Sequence, residues 1–172
     1  LTDYKNSPYS AMIYKDALMY LHFDKNSWLS DASGRGNDGT IIGSNVTNTS
    51  GIIGSALEFD GVDDYVDLGG GINTVTYNFT FAAWVHIPNQ TTSSGRMMVF
   101  ENSVSGTNRV ALSVHGSQFR SIYYNGSPSS PARSSSVVTN GWHHIAFVKV
   151  AGDAVTPDLY VDGVLDNAGT LN

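Results

Sequence analysis

Acidic residues gather at three places where the chain turns. Asp24 ends an alternating apolar run. Asp31 and Asp38 bracket the glycine-rich stretch that closes at Gly39. Asp60, Asp63 and Asp64 crowd the tip of Glu58-Phe59-Asp60-Gly61-Val62-Asp63-Asp64-Tyr65. A calcium ion takes about six to eight hard oxygens from carboxylates, carbonyls and water. Asp24, Asp31, Asp38 and Asp60 are therefore candidate ligands of a structural calcium. The spacing is not that of a helix-loop-helix calcium loop, because Asp31 is followed by Ser33 and then Arg35. The same residue types also close turns by bonding their own backbone, and both readings stay open.

A second constellation suits a sugar. Its apolar face packs on an aromatic ring while its hydroxyls seek Asn, Asp or Arg. Arg120, Tyr123, Tyr124 and Asn125 lie close together in the chain and are the candidate ligand-binding set. Tyr123 and Tyr124 alternate, so only one faces outward. Trp84 and His86 share one strand face, but large aromatics are mostly buried, so Trp84 and Trp142 are expected in the core.

Catalysis finds little support. There are only two glutamates, Glu58 and Glu101, no cysteine, and no Gly-x-Ser-x-Gly nucleophile turn. His143 and His144 are adjacent on a strand and point to opposite faces, so they do not readily chelate one ion. One of them is expected to be packed and hydrogen-bonded. No glycine motif opens a helix to cradle phosphate.

The elements that position these residues are short strands. Leu18 to Asp24 alternates, with Met19, Leu21 and Phe23 on one face. Ile41-Ile42 starts a strand, and a Ser/Asn/Thr loop follows to about Ile53. Ala56 to Phe59 and Tyr65 to Leu68 are expected to pair as a hairpin. Phe79 to Ile87 alternates most cleanly, with Phe79, Phe81, Ala83, Val85 and Ile87 on one side. Further strands are predicted at 96–100, 109–115, 118–124, 143–150 and 158–161, with a loop over 125–136. Asp162-Gly163 is a two-residue hairpin turn. No helical period stands out, and roughly ten short strands at spacings of about 8–12 residues predict an all-β antiparallel sandwich.

Four segments in order, Glu58 to Leu68, Phe79 to Val85, Gly141-Trp142-His143-His144-Ile145-Ala146 and Leu159-Tyr160-Val161-Asp162-Gly163, together resemble the laminin-G-like (concanavalin A-like) family. The resemblance covers about Leu18 to Leu165. It implies an antiparallel two-sheet jelly-roll sandwich with calcium in the rim loops. Hydrolases on this type of fold carry a Glu-x-Asp-x-Glu strand, which is absent here. Residues 1–16 read as a linker or the tail of a preceding domain, and 17–172 as the sandwich. Residues 164–172 can supply the return strand after the Tyr-Val-Asp-Gly hairpin but hardly a closing strand. The expectation is either a fragment or completion by another chain through β-strand addition at the C-terminal edge. The implied role is a non-catalytic extracellular adhesion or surface-assembly module. The alternatives are a carbohydrate-binding module of a larger secreted enzyme and a surface-filament subunit completed by a neighbour's strand.

Composition sets the bounds. The 172 residues fit one domain with a substantial core. Net charge is −6 with few cations, which disfavours nucleic acid because neutralising phosphates needs clustered Lys and Arg. Without cysteine there is no disulfide and no thiolate metal site. No apolar run is long enough for membrane insertion, and Leu1 in place of Met suggests a processed or excised piece. The five Asn-x-Ser/Thr sequons, at Asn45, Asn48, Asn78, Asn89 and Asn125, favour an extracellular or cell-surface glycoprotein where the source glycosylates. The expected partner is a glycan or a surface protein.

Overall fold

The computed structural model describes residues 16–24, 27–70, 78–88, 96–104, 108–124, 132–134, 139–149, 157–166 and 169–171. The chain forms two compact units, residues 1–72 and 73–172. The described residues are strands, turns and irregular segments, and no helix long and apolar enough to cross a membrane is found among them.

The first unit holds two small antiparallel pairs. Strand β1 (Thr40–Ile42) pairs with β4 (Tyr65–Asp67), and β2 (Thr47–Ser50) pairs with β3 (Ser55–Glu58). The expected hairpin between the third and fourth strands does not form. Each pairs instead with an earlier segment. The Gly51–Gly54 turn, closed by a 3.1 Å backbone bond, folds β3 onto β2. Gly43, at φ 105°, sits against the carboxylate of Asp64, where a Cβ would collide with it.

The strand expected over Leu18–Asp24 is also absent. Leu21 makes a single bridge to Asp31, and Phe23 turns into the left-handed region at φ 58°. Side chains of the next loop take the place of a neighbouring strand. Arg35 Nε donates to the Ala17 carbonyl, Asn37 Nδ2 to the Leu18 carbonyl, and the Tyr20 amide donates to Asp31 Oδ1. Backbone groups that would otherwise need a ladder are satisfied locally.

The second unit is an antiparallel sandwich of two sheets. One runs β12 (Val164–Leu165), β11 (Asp158–Val161), β10 (Gly141–Lys149), β5 (Phe79–Ile87). The other runs β13 (Gly169–Leu171), β9 (Ala132–Ser134), β8 (Gln118–Tyr124), β7 (Asn108–His115), β6 (Arg96–Val104). The period-2 pattern decides what each strand buries. Ile87, Ile145, Leu159 and Val161 from the first sheet meet Leu112, Val114 and Phe119 from the second. Phe147 and Val110 extend the core, and Phe81 stacks on Phe100 at 4.4 Å. β6 carries a bulge between Met98 and Phe100. Asp162 and Gly163, at φ 51° and 81°, make the turn predicted from Asp-Gly. β12 is the return strand, and residues 169–171 then pair with β9 in the other sheet.

Candidate functional site

In the first unit the candidate calcium ligands divide among three places. Asp24 Oδ1 accepts from the Ser55 amide at 3.2 Å. Asp31 is buried and its two oxygens accept four bonds, from the amides of Tyr20, Ser33 and Asn37 and from the Ser33 hydroxyl. Asp38 Oδ1 accepts from the Asp31 amide at 2.7 Å. These three are occupied as turn and segment ties. Burial pushes the Asp31 carboxyl up, but its hydrogen bonds prevail and hold it below 3.8.

Asp60 is different. Oxygens of Asp60, Asp63 and Asp64 lie within 4.8 Å of one another. Asn45 bridges the cluster, with Nδ2 donating to Asp60 Oδ2 at 2.9 Å and its amide to Asp64 Oδ1 at 3.3 Å. The Val62 amide donates to Asp60 Oδ1, and this bond, followed by that from Asn45, lowers the Asp60 pKa. Three hard anionic oxygens on one exposed loop match the donor chemistry of calcium, with water completing the shell. Asp60, Asp63 and Asp64 would hold such an ion.

In the second unit, the face of the first sheet turned away from the core carries aromatic residues in register. Trp84 stands opposite His144, and His86 opposite Trp142. Their rings meet edge-on, at 5.2 Å for the first pair and 5.3 Å for the second. Trp84 is 49% exposed. The expectation that Trp84 and Trp142 are core residues is corrected. The odd positions Phe79 to Ile87 already fill the core, and strict alternation sends Trp84 to the other face. Ala82 and Ala146, opposite each other beside this row, leave the Trp84 ring standing proud.

The other candidate ligand residues do not share one surface. Tyr123 lies on the core side of β8 against the Val110–Phe147 cluster, with Lys149 Nζ 4.7 Å above its ring. Arg120 lies on the opposite side, across from Ser113. Tyr124 stands in register with Arg109. Asn125 lies outside the described residues, as does the sequon Asn89. Of the other sequons, Asn45 and Asn48 engage their amide nitrogens, Asn48 with the carbonyls of Phe23 and Ala56, and Asn78 is exposed. Glu101 pairs with Arg109 at 2.9 Å on an exposed face, where such a pair contributes little.

His143 and His144 behave as adjacent strand residues should. His144 points outward to Trp84. His143 is buried and bonded at both ring nitrogens, to Asp162 Oδ2 and to the Thr139 carbonyl. Asp162 Oδ1 in turn accepts from the His144 amide. The signal for this partnership was in the sequence as the Trp-His-His segment and the Asp-Gly turn, although nothing local linked the two.

Two antiparallel sheets packed face to face on a shared apolar core make a jelly-roll-type sandwich. The family model for the concanavalin A-like lectin/glucanases superfamily (laminin-G type) matches residues 60–172, and the chain belongs to that family. It is also similar to a solved structure, the S-layer domain-containing protein (residues 221–444) of Clostridium thermocellum. Identity is 28% and the TM-score 0.54, over 89% of this chain and 71% of that one. No protein with a curated description matches the chain.

Proposed function

We propose that the chain is a non-catalytic extracellular or cell-surface module for adhesion or surface assembly, and that it engages a glycan through the outer aromatic face of the β5–β10 pair. The observation that carries this is the exposed Trp84 in register with His144, beside His86 and Trp142. An indole ring offers a sugar's apolar face a stacking surface, and imidazole nitrogens offer hydroxyls their hydrogen bonds. The family and the similarity to an S-layer domain-containing protein support a surface role. In this reading the module serves either a cell surface directly or a larger secreted enzyme as its carbohydrate-binding part. The test is a glycan array followed by titration calorimetry. Saturable binding should weaken at least about tenfold in Trp84→Ala, the equivalent of about 1.4 kcal/mol. Binding unchanged by that substitution would remove this face from the proposal, and no binding by the wild type would leave assembly through protein contacts.

Calcium at Asp60, Asp63 and Asp64 is the second part of the proposal. An ion that binds only the folded state raises the thermal midpoint by mass action. At a hundredfold excess over Kd the rise should be about 5–10 °C. It should vanish in EDTA and in Asp63→Asn/Asp64→Asn. An equal midpoint with calcium and with EDTA would return these aspartates to loop closure alone.

A surface-filament subunit is favoured by one further observation. Among the described residues β12 is an edge strand, and its Val164 and Leu165 are exposed, so it offers a neighbour's strand both ladder and apolar contact. Concentration-dependent mass by light scattering, abolished by Val164→Lys, is the expected sign of that role.

A further inference from the structure

Both ring nitrogens of His143 face oxygen atoms that cannot donate. Nδ1 lies 2.8 Å from Asp162 Oδ2, and Nε2 lies 2.9 Å from the Thr139 carbonyl oxygen. A neutral imidazole carries hydrogen on one nitrogen only, so it can make one of these bonds and must turn a lone pair on the other oxygen. Only the imidazolium makes both. We propose that His143 is a pH-operated clamp: when protonated it ties the turn after β11 to the entry of β10, and when neutral it releases one of the two.

Among the described residues Asp162 is the charged group facing the ring, and its other oxygen is held by the His144 amide at 2.9 Å. β8 contributes the Phe119 ring, edge-on at 6.1 Å. β5 contributes Val85 across the ladder, and Val161 precedes Asp162 on β11. The His144 side chain points to the opposite face, and Lys149 sits at the far end of β10. Burial pulls the His143 pKa down. The bond to Asp162, the bond to Thr139 and the Asp162 charge outweigh it and raise the value above 6.5. For Asp162, burial acts upward, but the bonds from His143 and His144 and their charges lower it below 3.8.

The signs follow from linkage. The His143 contribution is fully present below 6.5 and is lost as pH rises through the folded-state value. The Asp162 contribution is present above 3.8 and is lost as pH falls through its lowered value. The clamp is thus closed in mildly acidic solution and opens on the alkaline side. A neutral ring keeps its hydrogen on Nδ1 toward the charged Asp162, the stronger acceptor, so opening releases the Thr139 carbonyl at the entry of β10.

Long-range nitrogen–proton NMR of the His143 ring, followed against pH, reads the protonation state directly. Thermal midpoints of wild type, His143→Gln and Asp162→Asn at pH 6 and pH 8.5 read its consequence. Asn is accepted in the left-handed conformation of the Asp162 position, so that variant keeps the turn. The imidazolium should persist above pH 6.5, and the wild-type midpoint should fall by about 2–4 °C more than that of either variant across this range. The other histidines are common to all three proteins and cancel in the comparison. A neutral ring at pH 6, or variants with the wild-type pH slope, would overturn the clamp. Should His143→Gln fail to fold, Asp162→Asn and the ring spectrum still decide.

Discussion

Phe119→Ala is expected to lower stability by about 3–5 kcal/mol, the largest effect of any single truncation in the sandwich. Phe119 is fully buried and sits where both sheets meet, among Ile87, Leu112, Val114, Ile145, Leu159 and Val161. Removing the ring takes away its transfer free energy and leaves a cavity that two hydrogen-bonded sheets cannot close by collapsing. It also withdraws the ring that packs edge-on against His143. Urea unfolding checks this, with the midpoint falling while the slope holds. A change under about 1 kcal/mol would mean that the sheets are packed more loosely than the described core. Val62→Ala, at an 83% exposed loop position, is the control and should stay within about 0.5 kcal/mol.

Asp31→Asn should be almost as damaging to the first unit, at about 2–4 kcal/mol, although the two side chains are nearly isosteric. Each carboxylate oxygen of Asp31 accepts two bonds. An amide group must place its NH2 where one oxygen was. If it replaces Oδ2, it faces the Asn37 amide hydrogen and the Ser33 hydroxyl. If it replaces Oδ1, it faces the amides of Tyr20 and Ser33. Either way a partly buried N–H loses its acceptor, and orphaned donors cost up to about 1–3 kcal/mol each. The hydrogen bonds that lower the Asp31 pKa below 3.8 carry the corresponding pH dependence. Its contribution is present above 3.8 and is lost as pH falls through the folded-state value. Amide hydrogen exchange at Tyr20, Ser33 and Asn37 is the specific readout. Protection should fall at those three sites in Asp31→Asn, and unchanged protection there would show that the carboxylate does not hold the segment.

What could be read from residues alone differs between the two units for a physical reason. β5, β8 and β10 turn alternate residues toward the opposite sheet, so period-2 alternation marks them; β7 alternates in sequence although both of its faces are buried, and Asp-Gly marks the turn before β12. Among the described residues the first unit has no fully buried apolar side chain. β2 is Thr47-Asn48-Thr49-Ser50 and reads as loop, because nothing in it alternates. Tyr65 to Leu68 was expected beside Ala56 to Phe59, yet Tyr65–Asp67 pairs with Thr40–Ile42. Which strand a segment chooses is decided by distant contacts, and local pattern carries no trace of them. Ala132–Ser134 was likewise hidden in a Ser/Pro stretch. For the candidate sites, the Asp60 turn was legible because its acids are neighbours in sequence. The Trp84 row is less legible, because the general tendency of tryptophan to be buried runs against the alternation of its own strand, which prevails. Arg120 and Tyr123 are close in the chain, but their odd spacing along β8 places them on opposite faces.

The ladder between β5 and β10 also sets a schedule. It runs from Ile87 paired with Gly141 to Phe79 paired with Lys149, so the two halves of the pair leave the ribosome at quite different times. At synthesis rates of about 5–20 residues per second, β5 waits about 3–12 s for its partner. During that wait β5 has no ladder neighbour, although β6 to β8 of the opposing sheet emerge within it. A nascent chain in that state is a substrate for holding chaperones, and slowing translation between the two strands should lower soluble yield even though it changes no residue of the finished protein.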